Sequence, residues 1–400
     1  MSNTPITDAD DEMPFVLGAV YNMGKPIKVS NVGSLTGFLV KAVPAGGGQA
    51  ELATKGTLTS DEPFFHRCVE GIEMAVREAA VRAGTAINLR KAHTALLVFK
   101  PEGTAEFWID TAAESLQCIP KRAVGVATAV FERDIADIVG MNFPAVSFAP
   151  EDRVVCLFRE GWGFGLAFDF NPDGNFDRQA FSQSLGTLVR TLRYRHLYGA
   201  MTNPAVFQRL LDKGWFPFAE IINAEVKELS AHAEAGFDLS AWEQQLVASF
   251  DDSRLDRLLE RWKQKPHFEA KMSLLQEAIE CFKAERPVSV IKIVLTEIEG
   301  VLNDAHRAAN GGAGARLKDL LKFASASAEA RTGGTDTLLF PAAFGKYLEQ
   351  HTFANFDPVA QTGTAGSRHA VGHGAAAQET YTMTRALQAI LTLDQLAFYT

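Results

Sequence analysis

Hydrophobic residues change their rhythm near Pro204. Before it, large apolar side chains alternate with small or polar ones, most clearly in Trp162-Gly163-Phe164-Gly165-Leu166-Ala167-Phe168-Asp169-Phe170. A period of two puts successive side chains on opposite faces of a strand. The sparse, glycine-bearing face of this strand suits a covering helix. After Pro204 the spacing becomes three and four: Ile291, Val294, Leu295, Ile298, Val301 and Leu302 form one stripe of a helix. The change predicts an α+β domain followed by an all-α helical bundle.

Shorter signals fill in the two parts. Leu35–Val40, Thr94–Phe99 and Ala105–Asp110 read as strands, the last two joined by the turn Pro101-Glu102-Gly103. Val154–Phe158 precedes the alternating strand and pairs with it across Arg159-Glu160-Gly161. Long helices are predicted over residues 63–83 and 178–198. Beyond Pro204, helices are predicted over 220–234, 241–250, 254–263, 268–283, 288–308, 317–325, 341–350 and 384–399. The expected organisation is a loose acidic tail (1–14), an α+β domain (15–203), a helical connecting region (204–285) and the bundle (286–400). Residues 310–315 and 361–367 are rich in small residues and read as flexible. The final helix, with Leu387, Ile390, Leu391, Leu393, Leu396 and Phe398, is apolar over much of its surface and is expected to be buried.

Composition narrows the function classes. The formal net charge of −9 is wrong for a protein that coats nucleic acid, because phosphate neutralisation supplies most non-specific affinity. Any contact with nucleic acid is therefore expected to be local, transient or confined to one patch. The four cysteines, Cys68, Cys118, Cys156 and Cys281, form no C-x-x-C pair, which argues against a disulfide framework and a thiolate zinc site. Asp8, Asp10, Asp11 and Glu12 stand where a signal peptide would carry basic residues. No apolar run reaches the length of a membrane span. The expectation is a cytoplasmic protein with no membrane partner.

The strongest candidate for chemistry is Arg368-His369-Ala370-Val371-Gly372-His373-Gly374. Arginine offers a planar, permanently charged fork matched to phosphate oxygens. Histidine is the side chain that ordinarily titrates near neutrality. An arginine, then a polar residue, then a histidine several positions on, near the end of a helical bundle, resembles the R-x4–6-H motif of HEPN domains. The resemblance covers residues 286–400 and rests on a short motif. Its surroundings agree: an upstream amphipathic helix carries Glu297-Ile298-Glu299-Gly300, and an apolar helix closes the chain.

The resemblance implies a metal-independent endoribonuclease of the antiviral-defence or toxin kind. Arg368 would grip the phosphate, His373 would move protons and His369 would assist. Glu299 would be the polar residue that faces the motif from the upstream helix. It implies RNA as substrate, a homodimer that joins two motifs in one cleft, and no cofactor or metal. On a regular helix, positions five apart diverge by about 140°, so Arg368 and His373 converge only if Gly372 and Gly374 loosen the turn. The rival reading is a non-catalytic dimerisation protein whose N-terminal domain binds a ligand or another protein.

Other segments carry less. Asp169-Phe170-Asn171-Pro172-Asp173-Gly174 copies the start of a calcium loop, but Ala180 stands at the position that needs glutamate, so a plain turn is expected. Arg190, Arg193, Arg195 and His196, with Arg307, Arg316, Lys318 and Lys322, are candidates for a basic patch or for solvated helix faces. No Walker lysine, H-E-x-x-H or G-x-S-x-G motif is present.

Overall fold

The computed structural model describes residues 15–16, 24–33, 35–39, 41–84, 86–222, 224–355 and 363–400. The acidic tail over 1–14 lies outside the described residues. The chain divides into a sheet-bearing unit, residues 18–118 and 138–195, and a helical unit, which takes in residues 119–137 and 196–400. An α+β part is thus followed by a long helical part.

The sheet-bearing unit is built on six antiparallel strands: β1 (Ile27–Ser30), β2 (Lys55–Thr59), β3 (Thr94–Phe99), β4 (Thr104–Ile109), β5 (Arg153–Glu160) and β6 (Gly163–Asp169). Their order is β1-β4-β3-β5-β6-β2. The expected hairpins are present: Leu97 pairs with Phe107, and Cys156 with Ala167. Helix α1 (Phe65–Arg82) contributes Phe65, Val69, Ile72 and Val76 to a core with Leu97, Phe107, Leu157, Leu166 and Phe168. Helix α2 (Arg178–Arg193) packs on β6. Glycines make that approach possible. A Cβ at Gly163 would stand 2.8 Å from Leu192, and one at Gly165 would stand 3.4 Å from Leu188. The sparse face of the alternating strand is where α2 lies.

The departures have local reasons. Ile135–Asn142 is a strand that alternation does not flag, because its large and small residues fall on both faces and the period-two contrast is absent. The run at Leu35–Val40 keeps only Phe38–Leu39 as strand; Val40 lies outside the described residues. The helix expected to reach residue 198 ends at Arg193. Tyr194 leaves the helical region, and a new helix starts at Arg195. A further helix, Pro204–Lys213, begins at the residue where strand signals stop; Asn203 caps it by accepting from Ala205 and Val206.

In the helical unit the elements that matter for the site are α3 (Asp252–Lys263), α4 (Met272–Lys283), α5 (Pro287–Ala309), α6 (Leu317–Thr332), α7 (Pro341–Tyr347), α8 (Arg368–Gly372) and α9 (Met383–Tyr399). The apolar stripe of the sequence is buried on α5, and α5 packs against α4, α6, α8 and α9. Every residue of α9 from Ala386 to Tyr399 is buried. That burial encloses polar groups as well, and each needs a partner. Asp394 accepts from Trp262 Nε1 at 2.9 Å and pairs with Arg261. Arg261 also reaches Glu220 at 2.7 Å and the Lys121 carbonyl at 2.8 Å. Arg254 joins Glu220 to Glu225, and Lys121 donates to the Glu220 carbonyl at 3.2 Å. Burial pulls the Lys121 ammonium down to about 8, with Glu220 opposing, while burial pushes the Asp394 carboxyl up to about 6 against Arg261.

Candidate functional site

Helix α8 is a single turn held in place by its ends. Ser367 caps it: its hydroxyl accepts from Ala370 N at 3.3 Å and donates to the Ala354 carbonyl at 2.7 Å. Gly374, at φ 69°, takes the left-handed conformation that ends the turn, and the next residue returns to the Ala370 carbonyl. Ala370 and Val371 are buried, and the helix rests on α5. Residues 363–367 lead in with fixed bonds. Ala365 N donates to Thr380 Oγ1 at 2.9 Å, and Ala365, Gly366 and Ser367 are buried. The described part of this glycine-rich stretch is packed, contrary to the flexibility its composition suggests.

With Ala370 buried, Arg368, His369, Val371 and His373 line a half-open hollow of about 320 Å³. Leu295 and Thr296 of α5 form its other wall. Glu299 lies one turn beyond Leu295, and its carboxylate meets Arg368 Nη2 at 2.8 Å. Residues four apart share a helix face, so the wall and the carboxylate come from one stripe of α5. Both partners are about one-third exposed, so the pair contributes at most roughly 1 kcal/mol to stability and acts mainly to orient the guanidinium. Arg368 Nε is enclosed without a hydrogen-bond partner. The His369 ring lies 6.5 Å from that of Phe353. His373 closes the helix, its N–H donating to the His369 carbonyl at 3.0 Å. Arg368, His369 and His373 thus border one hollow within a single chain, and Glu299 joins them through Arg368.

A second, smaller cavity shares Leu295 with the hollow and would hold little more than one water. Tyr347, His351, Gly366, Arg385, Gln388 and Thr392 line it. Tyr347 donates to the Gly214 carbonyl at 3.3 Å, and Arg385 reaches the Lys213 carbonyl at 3.0 Å and Gln388 at 2.7 Å. Burial, with Arg385 nearby, draws the His351 imidazole down to about 3, so it is neutral at ordinary pH. Gly366 lies directly on this ring: a Cβ there would stand 2.5 Å from His351 Cε1. Neither His351 nor Arg385 stands out in the sequence, because each sits in a helical pattern with no motif around it.

The other candidates fall away from this site. Arg190 is buried and donates to the Ile138 carbonyl and to Thr187 at 2.9 Å. Arg193 clamps Glu160 at 2.8 Å, and Arg195 meets Asp61 at 2.8 Å. Arg190 and Arg193 serve internal contacts, while Arg195 makes an exposed ion pair. Tyr194 is buried, and Tyr198 packs against Phe340 at 5.4 Å. Asp169 accepts from Asn171 N at 2.7 Å and pairs with Lys55, as in a plain turn. Among the described residues, no three His, Cys, Asp or Glu side chains gather to hold a metal, and no helix is long and apolar enough to cross a membrane. No family model, curated protein or solved structure matches this chain.

Proposed function

We propose that this chain is an HEPN-like endoribonuclease whose active centre is the hollow lined by Arg368, His369 and His373. The observation that carries the reading is the meeting of one guanidinium and two imidazoles in a single half-open hollow, with Glu299 holding the guanidinium from α5. Arg368 binds the phosphodiester; its planar head has five donors, so one carboxylate contact does not exhaust it. His373 takes the proton of the ribose 2′-hydroxyl. The 2′ oxygen then bonds to phosphorus, the bond from phosphorus to the 5′ oxygen breaks, and the leaving oxygen receives the proton that His373 took up. General acid–base help of this kind is worth about 10²–10⁴ in rate. His369, beside the arginine, assists by contacting the substrate. In this reading two copies of the chain bring two such hollows together on RNA, the cytoplasm is the setting, and defence or toxin action is the context.

Cleavage of RNA in EDTA by wild type and by His373→Ala is the direct test. Cleavage that persists in EDTA, leaves cyclic phosphate ends and drops by about 100-fold or more in the variant is expected. Equal cleavage by both removes His373 from the chemistry. No cleavage by either protein overturns the nuclease reading in favour of a non-catalytic dimerisation module. The half-buried Glu299–Arg368 pair is the observation on that side, since it leaves the arginine already matched.

A further inference from the structure

His369 and His373 are four residues apart, and the bond from His373 N to the His369 carbonyl, at 3.0 Å, shows that the turn between them is α-helical. Side chains at this spacing stand one above the other, with Cβ atoms about 5–6 Å apart. Two imidazoles so placed span the ligand positions of a borderline metal ion, with Zn–N distances of about 2.0–2.1 Å. Both residues also line the same hollow. We propose that His369 and His373 form a two-imidazole site for a late transition-metal ion such as Zn²⁺ or Cu²⁺, and that its occupancy shuts the hollow to proton transfer.

Three features support a reversible site and not a structural one. Among the described residues no third His, Cys, Asp or Glu gathers with the pair. Structural zinc sites are closed by four protein ligands, and this one is not. The adjacent Arg368 would repel a cation, but Glu299 at 2.8 Å offsets its charge. Each imidazole can keep a hydrogen bond at one ring nitrogen while the other nitrogen holds the metal. Hard ions that prefer oxygen, such as Mg²⁺ and Ca²⁺, are excluded by the donor set. The lone pair that binds the metal is the one that would accept a proton, so binding and acid–base work compete.

The inhibitory half of the proposal rests on the nuclease reading; the binding half does not. The full chain, stripped with EDTA and then freed of it, is titrated with ZnCl₂ by calorimetry and with CuSO₄ by electron paramagnetic resonance. One ion per chain with nitrogen splitting from two imidazoles is expected. Affinity should fall at least about tenfold in His369→Ala and in His373→Ala, the size of a lost ligand contact, and should not change in His66→Ala. Equal binding by wild type and the His369→Ala/His373→Ala double variant overturns the site, whatever the RNA assay shows. If RNA is cleaved in EDTA, one equivalent of Zn²⁺ should suppress the reaction, with recovery on renewed chelation. Cleavage that continues with the site filled overturns the inhibitory half. Absence of cleavage under all conditions counts against the nuclease reading and leaves the binding result standing.

Discussion

Acid should loosen the helical unit through His351, and the size of the effect can be worked from its surroundings. The imidazole ordinarily titrates at 6.5, and burial beside Arg385 brings it to about 3 in the folded chain. The unfolded chain therefore takes up the proton first. Stability from this group is whole above about pH 6.5 and falls steadily as pH drops toward about 3. At about pH 4.5, two units below the unfolded value, the loss is about 2.7 kcal/mol at about 1.36 kcal/mol per unit. The perturbation is His351→Gln, which removes the titrating ring. Both proteins are unfolded in urea at about pH 7.5 and about pH 4.5, with pulsed hydrogen exchange in peptides from α9 reporting on the helical unit. The variant loses packing at both pH values, so the quantity that matters is the difference of differences. Wild type should lose about 2–3 kcal/mol more than the variant on acidification. A difference below about 0.5 kcal/mol would mean that the ring is protonated in the folded state at little cost, and the argument from burial would fail.

Two further changes probe the packing around the site. Asp394→Asn removes one of the two carboxylates on Arg261, with Glu220 remaining; a loss of about 1–3 kcal/mol in urea unfolding is expected, and no loss would show that the network relaxes. Gly366→Ala drives a methyl group onto the His351 ring; a cost of about 1–3 kcal/mol is expected, with faster exchange of the α8 amides, and unchanged exchange would mean that the ring yields freely.

Much of the fold can be read from spacing where the two faces of an element differ in residue type. The α5 stripe sets a buried face against a more exposed one, and β6 sets large apolar side chains against the glycines under α2, although both of its faces are buried; a period is visible only when two faces differ. The same rule explains the failure at Ile135–Asn142, whose large and small residues do not alternate. It also limits the reading of α9: its burial follows from its apolar residues, but the partners of Gln388, Asp394 and Gln395 do not. Gln395 accepts from Ala219 N at 2.7 Å, a contact with a distant part of the chain. Nothing in the sequence near either residue announces it.

The candidate site divides along the same line. Arg368, His369 and His373 are close in sequence, so their types and spacing are legible in the chain itself. Glu299 is the acidic residue of the upstream helix expected to face them, and its carboxylate does meet Arg368. His351 has no such local signal, since its importance comes from Gly366 lying against its ring and from Arg385 beyond it. The difference is physical. Chemistry that needs particular side chains at a set spacing leaves a mark in the sequence. The shell that fixes their direction is assembled from separate helices, and any residue of the right shape at the right depth can supply it. A helix as short as α8 has too few internal bonds to hold itself, so the direction of its three polar side chains depends on the Ser367 cap, the buried Gly366 and the α5 wall. Substitutions in that shell should therefore disturb the hollow as much as substitutions in the motif.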